Sequence, residues 1–368
     1  MSKSFFSLGL MSGTSGDGVD ASIIQSNGDA EYKVILDKYF KYNQNIYQNI
    51  HNLKEEINDS RDLKNLSKEI KSLENKITLF HIEAVNEIIN EFKLNIDLVG
   101  FHGQTIFHNA KEKISKQLGD GELLSKNTKK IVIYNFRQND LKNGGHGAPL
   151  TPIFHKLLKI KFKIKDVTFV NIGGIANVTT IGNDGKMSGT DIGPGMCLVD
   201  KWIRKKTKKN YDEKGLIAES GKVNTTALNK LVENFYNKEK ILQTGFIQSF
   251  DTKYFDFSFV KDLSLEDGAA TLTEFTSRII VSAIKSAGRY KEKIILCGGG
   301  RKNNFLVNKL RKESDRIKLI DEYYVDGDFI ESQAFAYLAI RSYLGLPISF
   351  PETTGVNKAI TGGIIIKN

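Results

Sequence analysis

Short runs rich in apolar, β-branched and aromatic residues open the chain at 5–10, 19–25 and 32–40, with Gly, Ser and Asp-rich turns between them. That pattern predicts three antiparallel strands. The pattern then changes: Leu63, Leu66, Ile70, Leu73, Ile77 and Phe80 recur at spacings of three and four. A helix with one apolar stripe is expected there, packed on its own sheet or paired in a short coiled coil. Strands are expected again at 96–101 and 130–134. The stretches 166–172 and 177–181 flank Gly173 and Gly174 and echo the opening hairpin, which suggests two related lobes. Helices at 197–209, 225–238, 269–287, 304–312 and 331–344, with a strand at 293–296, complete an α/β alternation.

Length sharpens this picture. At 368 residues the chain is long for one core, so two lobes are expected, 1–165 and 166–368, with the final segment free to return to the first. The net charge is +10, and the densest basic run, KWIRKKTKK at 201–209, has only Trp202 and Tyr211 as aromatic neighbours. A solvated helix face explains it better than a nucleic-acid surface, which interleaves basic and aromatic side chains. Cys197 and Cys297 form no CxxC pair, which fits reduced thiols in the cytoplasm. No stretch reads as a signal peptide or as the roughly 18 apolar residues that span a bilayer.

Chemistry is concentrated in glycine-rich turns that follow strands. MSGTSGDGVD, 11–20, offers Gly13, Thr14, Ser15, Gly16, Asp17, Gly18, Val19 and Asp20. Small residues let backbone N–H groups approach an anion, the hydroxyls donate to phosphate oxygens, and Asp17 and Asp20 could face a hydrated Mg²⁺. A plain hairpin with solvated carboxylates is the alternative. VNIGGIANVT supplies Gly173, Gly174 and Asn177, and LCGGGRKNN supplies Gly298, Gly299 and Gly300 before a helix, where phosphate can meet main-chain donors. Neither a Walker A loop nor GxGxxG at dinucleotide spacing occurs. Asp191 in SGTDIGPG precedes a turn expected to feed a helix, where it could serve as a general base or simply cap that helix. His102, Gln104 and Thr105 in GFHGQTIFH, and Arg137, His146 and Gly147 in NFRQNDLKNGGHGAP, look like substrate-side loops. Their groups suit a sugar and its acidic substituent. His102 and His108 lack the spacing of a zinc helix. Glu331 falls on the first turn of a helix, where opposing the dipole is the simple explanation.

The ordered set MSGTSGDGVD, GFHGQT, NFRQND, GGHGAPL, NIGGIANVT, GTDIGPG, CGGG and ESQAFAYLA resembles the anhydro-N-acetylmuramic acid kinases from about residue 9 to 363. The resemblance implies a two-lobed actin-like, ribonuclease H-like ATPase fold with its site in the interlobe cleft. The implied reaction hydrolyses the 1,6-anhydro bridge of 1,6-anhydro-N-acetylmuramic acid and phosphorylates O6, with ATP and Mg²⁺. Asp191 would be the base, and Glu331 would orient Asp191 or the sugar. Loop 13–20 and turns 173–174 and 298–300 would serve ATP, and a homodimer is implied. A kinase of another anhydrosugar or amino sugar, or an actin-like ATP-binding module without catalysis, would share these motifs. Gly16, Asn135, His146, Ile192 and Met196 depart from the family pattern. Ile192 and Met196 are expected to remove polar groups beside Asp191.

Overall fold

The computed structural model describes residues 3–91, 93, 95–238, 250–286 and 292–367. Its strands run in chain order β1 (Phe5–Ser12), β2 (Gly18–Ser26), β3 (Tyr32–Lys41), β4 (Leu98–Asn109), β5 (Ile114–Leu118), β6 (Ile131–Tyr134), β7 (Val167–Ile172), β8 (Ile175–Ile181), β9 (Met187–Pro194), β10 (Lys293–Cys297), β11 (Ile317–Leu319) and β12 (Ile364–Ile366). They form two sheets, ordered β12-β6-β4-β1-β2-β3, with β5 on β4, and β11-β10-β7-β8-β9. In each, a three-strand antiparallel meander comes first, and its first strand then takes a parallel partner from later in the chain. The repeated order, third-second-first-fourth, is the arrangement of the actin-like, ribonuclease H-like α/β fold. The echo between the two hairpins in the sequence is therefore an echo in topology.

The chain divides into two compact units, residues 1–163 with 328–368, and 164–327. The first core gathers Leu8, Leu10, Ile23, Val99 and Phe101 from the sheet. The helix Ser67–Glu91 adds Ile70, Leu73, Ile77, Val85 and Ile88 to the same core. Ile70, Leu73 and Ile77 of the expected stripe are buried in it, Phe80 packs against it, and Leu63 and Leu66 precede the helix and are partly buried on the same core. The second core combines Val170, Ile172, Val178, Ile192 and Leu296 with the helices Cys197–Lys206, Thr225–Lys238 and Leu265–Ser286. The last of these was expected to reach Ala287, which lies outside the described residues. On the basic helix, Lys205 and Lys206 lie over the rings of Phe257 and Trp202, at 5.6 and 4.7 Å from the centroids. Among the described residues no helix is long and apolar enough to cross a membrane.

The helix expected at 197–209 ends at Lys206, and two elements that carry candidate site residues differ from expectation. GFHGQTIFH is the body of β4 rather than a loop. Its polar residues read as substrate-side loop groups, yet His102 and Gln104 are buried and bonded within the protein. The segment around Asp191 is β9, a strand whose Gly, Asp and Pro content obscures the strand signal.

Candidate active site

In the first unit, β1 and β2 are joined by the loop that begins at Gly13. Its main-chain carbonyls are held from the protein side. Gly13 O accepts from Gln104 Nε2 at 3.0 Å and from Gly16 N at 3.1 Å. Thr14 O accepts from Lys54 Nζ at 3.1 Å, Ser15 O from His51 Nε2 at 2.9 Å, and Asp17 O from Tyr42 N at 2.9 Å. Ser12 Oγ lies 3.0 Å from Gly18 O and 2.6 Å from Gln104 Oε1, its single proton shared between the two acceptors. Gln104, expected to face substrate, is fully buried and bound to this loop through both ends of its amide. Gly16 has φ +61°, the left-handed region where glycine is at ease, and packs on Ile50. Ser15 Oγ donates to Asp17 Oδ1 at 2.5 Å. Asp17 and Asp20 are half-buried.

A second cluster lies on β4 and the segment after β6. Arg137 donates from Nε and Nη2 to His102 Nε2, at 3.2 and 2.9 Å, and from Nη1 to Gly147 O at 2.8 Å. With Nε2 accepting, the His102 proton sits on Nδ1 and is donated to Gly103 O at 2.8 Å. Buried Asp140 accepts Gly147 N at 2.6 Å and Thr354 Oγ1 at 2.5 Å. Gly147 is thus clamped at both ends of its peptide, and Arg137 works first as part of that clamp. His146 Nδ1 is buried and meets no hydrogen-bond partner. Thr105 Oγ1 accepts from Gln117 Nε2 at 3.1 Å.

Burial holds four histidines of this unit neutral. His102 is pushed well below its ordinary value by burial and then by Arg137, His81 falls to about 4, and His108 and His155 to about 3. Above pH 6.5 they are neutral in folded and unfolded chains alike. As pH falls below 6.5 the unfolded chain takes up protons that the folded chain refuses. Stability is therefore lost as pH falls from 6.5 to about 4 through His81 and on to about 3 through His108 and His155, each histidine adding a slope that approaches about 1.4 kcal/mol per pH unit. Thermal unfolding midpoints are expected to drop from pH 7.5 to 5, and a level midpoint over that range would contradict this.

Glu331 sits on the first turn of the helix Ile330–Tyr343. That helix lies close on the sheet because β1 offers Gly9: a Cβ there would stand 1.9 Å from Ser332 O. Ser332 Oγ and Ser22 Oγ are 2.6 Å apart, and Gln333 Nε2 donates to Asp37 at 3.0 Å. The turn that carries Glu331 is thereby fixed against β1 and β2, the strands that flank the glycine loop.

In the second unit the register builds a polar row. Asp191 on β9 stands opposite Asn177 on β8, Asn177 opposite Asn171 on β7, and Asn171 beside Cys297 on β10. At about 4.8 Å per strand the row spans roughly 14 Å. At its far end begins the Gly298 turn, where a Cβ on Gly298 would stand 2.4 Å from Asn171 Oδ1. Asp191 is 6 % exposed and accepts from Phe250 N at 2.9 Å. Asn177 Oδ1 is buried and meets no partner. The Gly173–Gly174 turn is gripped by the start of the next helix, with Gly195 N donating to Gly174 O and Met196 N to Gly173 O, at 2.9 and 2.8 Å. Arg301 anchors the third turn: it is 3 % exposed, donates from Nε and Nη2 to Asp321 at 2.7 and 2.9 Å, and from Nη1 to Gly298 O at 3.2 Å. Those bonds hold the Asp321 carboxyl below its ordinary range.

The profile of the family described as anhydro-N-acetylmuramic acid kinase matches residues 5–368. The chain belongs to this family. A relative named anhydro-N-acetylmuramic acid kinase, from Pelagibacter ubique, is 53 % identical over the whole of both chains. Another of the same name, from Agrobacterium fabrum, is 35 % identical over 98 % of each. Among solved structures, (R)-2-hydroxyglutaryl-CoA dehydratase component A of Acidaminococcus fermentans aligns with TM-score 0.45 and 13 % identity, covering 92 % of this chain and 99 % of that one.

Two departures from the anhydro-N-acetylmuramic acid kinase pattern are resolved by the strand geometry. Ile192 and Met196, expected beside Asp191, belong to the apolar core with Val170 and Val178. Ile192 is the extra residue of a β-bulge, since Asp191 pairs with Asn177 and Gly193 with Ala176, and its side chain is taken up by that core. The capping alternative for Asp191 also fails: the next helix begins at Cys197, and its N-cap position is Met196. Asn135 adopts φ +54°, a conformation Asn tolerates. Sequence reasoning missed His51 and Lys54. Their helix, Gln44–Glu56, did carry a signal in Ile46, Ile50 and Leu53, spaced by four and three. Its contact with the glycine loop carried none. Among the described residues no group of three or more His, Cys, Asp or Glu could hold a metal ion.

Proposed function

We propose that this member of the anhydro-N-acetylmuramic acid kinase family opens the 1,6-anhydro bridge of 1,6-anhydro-N-acetylmuramic acid and phosphorylates O6, giving N-acetylmuramic acid 6-phosphate and ADP in the cytoplasm. The observation that carries the residue assignment is the polar row of the second unit, where the buried Asp191 carboxylate is in register with Asn177 and Asn171 and the row ends at the Gly298 turn. Asp191 takes a proton from water as the water oxygen bonds to C1 and the C1–O6 bond breaks. The released O6 attacks the γ-phosphorus, and ADP leaves. Phe250 N–H fixes one carboxylate oxygen, which orients the base. Glu331 serves the sugar or Asp191. His102, Thr105, Arg137, His146 and Gly147 form the sugar side, where the unpartnered His146 Nδ1 is the clearest group to meet a ligand.

ATP takes its phosphate contacts from loop 13–20, turns 173–174 and 298–300, and Asn177. Three of those glycines support this reading. Gly13, Gly173 and Gly299 have φ outside the left-handed region, and a Cβ at any of them would meet nothing nearer than 3.4 Å. Neither backbone nor packing demands glycine there. A phosphate lying against bare main chain does. Asp17 and Asp20 fit Mg²⁺, since their half-buried carboxylates are oxygen donors and this ion takes one or two carboxylates plus substrate phosphates. When bound it neutralises charge on the transferring phosphoryl group. The family reading also carries a homodimer, which sedimentation analysis tests.

The reaction is tested with ATP and water labelled with heavy oxygen. Mass spectrometry is expected to find the label on C1 and the phosphate on O6. Label in the phosphate, or product formed equally well from other sugars, would remove the assignment.

A further inference from the structure

The helix Gln44–Glu56 reaches the glycine loop with two cation-forming side chains that no motif of the sequence includes. His51 Nε2 lies 2.9 Å from Ser15 O, and Lys54 Nζ lies 3.1 Å from Thr14 O. Ser15 O can only accept, so His51 carries its proton on Nε2. Between them these side chains hold the two exposed residues at the crest of the loop. Ile50, one residue before His51, packs under Gly16. The helix itself is fixed by Ile46, Ile50 and Leu53 in the core and by Asn43, whose side chain caps Ile46 N at 2.9 Å.

A crest of this kind has a weakness as an anion site. Its peptide planes can flip, and a flipped plane aims a carbonyl oxygen where an N–H should point, turning attraction into repulsion. Gln104, Tyr42 and Ser12 prevent this at Gly13, Asp17 and Gly18. For Thr14 and Ser15 the corresponding bonds are those from Lys54 and His51. The Lys54 ammonium also places a positive charge beside the crest, where a polyphosphate brings several negative ones.

We propose that His51 and Lys54 are positioning residues for the nucleotide: they lock the Thr14 and Ser15 carbonyls on the protein side so that the crest presents donors to the phosphates. This rests on the reading of loop 13–20 as the ATP-phosphate loop. The two are separated by experiment. Lys54→Met and His51→Leu remove the donors, while Lys54→Arg and His51→Gln keep one. Each variant is assayed for KM of ATP, KM of the sugar and kcat, and for ADP affinity by calorimetry, beside Gly13→Val as a control on the loop itself. Lys54→Met and His51→Leu are each expected to raise KM for ATP and weaken ADP about tenfold, the loss of one charge-assisted or ordering bond. The sugar KM should hold and kcat should stay within about twofold. Lys54→Arg and His51→Gln should recover most of the loss, a rescue that a general loosening of the fold would not show. Unchanged nucleotide binding in both donor-removed variants, with Gly13→Val still abolishing it, sinks the positioning role and leaves the loop reading intact. Unchanged nucleotide binding in Gly13→Val overturns both.

Discussion

Asp191→Asn is expected to lower kcat by at least about a hundredfold, and up to about ten-thousandfold, while ADP affinity and the unfolding midpoint stay near those of the parent protein. Asparagine has the shape of aspartate, and its side-chain oxygen can still accept the Phe250 N–H that holds Asp191 at 2.9 Å. It cannot take a proton from water. The two halves of the reaction then fail together, because O6 becomes a nucleophile only once the bridge from C1 has opened. Sugar-independent ATP hydrolysis should not rise in the variant, since the defect lies in water activation. Coupled ADP-release kinetics and calorimetry read both quantities. Near-normal turnover in the variant would remove Asp191 from the mechanism, whatever the family pattern suggests.

The parts of this protein that were legible in its sequence are those whose signal is local. The first meander and the turn at Gly173 and Gly174 stand out because short apolar, β-branched and aromatic runs end in residues that turns favour. The helix Ser67–Glu91 stands out because its stripe buries one face only. β9 was hidden for the opposite reason: MSGTDIGP has the composition of a loop and becomes a strand through pairing with β8. The start of β4 was expected, but its continuation past Phe101 was hidden because its histidine and glutamine are satisfied by partners far away in sequence, Arg137 for His102 and Ser12 for Gln104.

Site chemistry divides along the same line. Residue types and glycine turns pointed to phosphate and to Asp191, but not to how those groups are held. The Asp191, Asn177, Asn171 row exists only through register, a property of three strands together. The clamp on Gly147 joins Asp140 to Thr354, a hydroxyl 214 residues later. Gln104 shows the limit most plainly. Its type and place beside His102 suggested a sugar contact, and the structure spends its amide on Ser12 and Gly13. The loop between β1 and β2 is shaped by side chains from β4 and from the helix Gln44–Glu56 as much as by its own glycines.

Gly13→Val is expected to abolish nucleotide binding without harming the fold, with a loss of at least about a hundredfold in ADP affinity and in kcat/KM for ATP. A Cβ at Gly13 would have only Ser15 Oγ within reach, at 4.0 Å, and the residue does not use the left-handed region. Valine therefore fits the folded chain. Because it also narrows the freedom of the unfolded chain, the unfolding midpoint should hold or rise slightly. Its methyl groups would occupy the space a phosphate needs against the main chain, and would cover the donors of the crest. Gly299→Val follows the same logic on the second unit, since a Cβ at Gly299 would meet nothing within 4 Å. Gly9→Val is the opposite case: its Cβ would stand 1.9 Å from Ser332 O, so the helix Ile330–Tyr343 would be pushed off the sheet and the midpoint should fall steeply. The pair of signatures separates glycines kept for a ligand from glycines kept for packing. Gly13→Val and Gly299→Val that fold normally and still bind ADP would leave those glycines without a role in the nucleotide site, and the phosphate reading of both turns would fall with them.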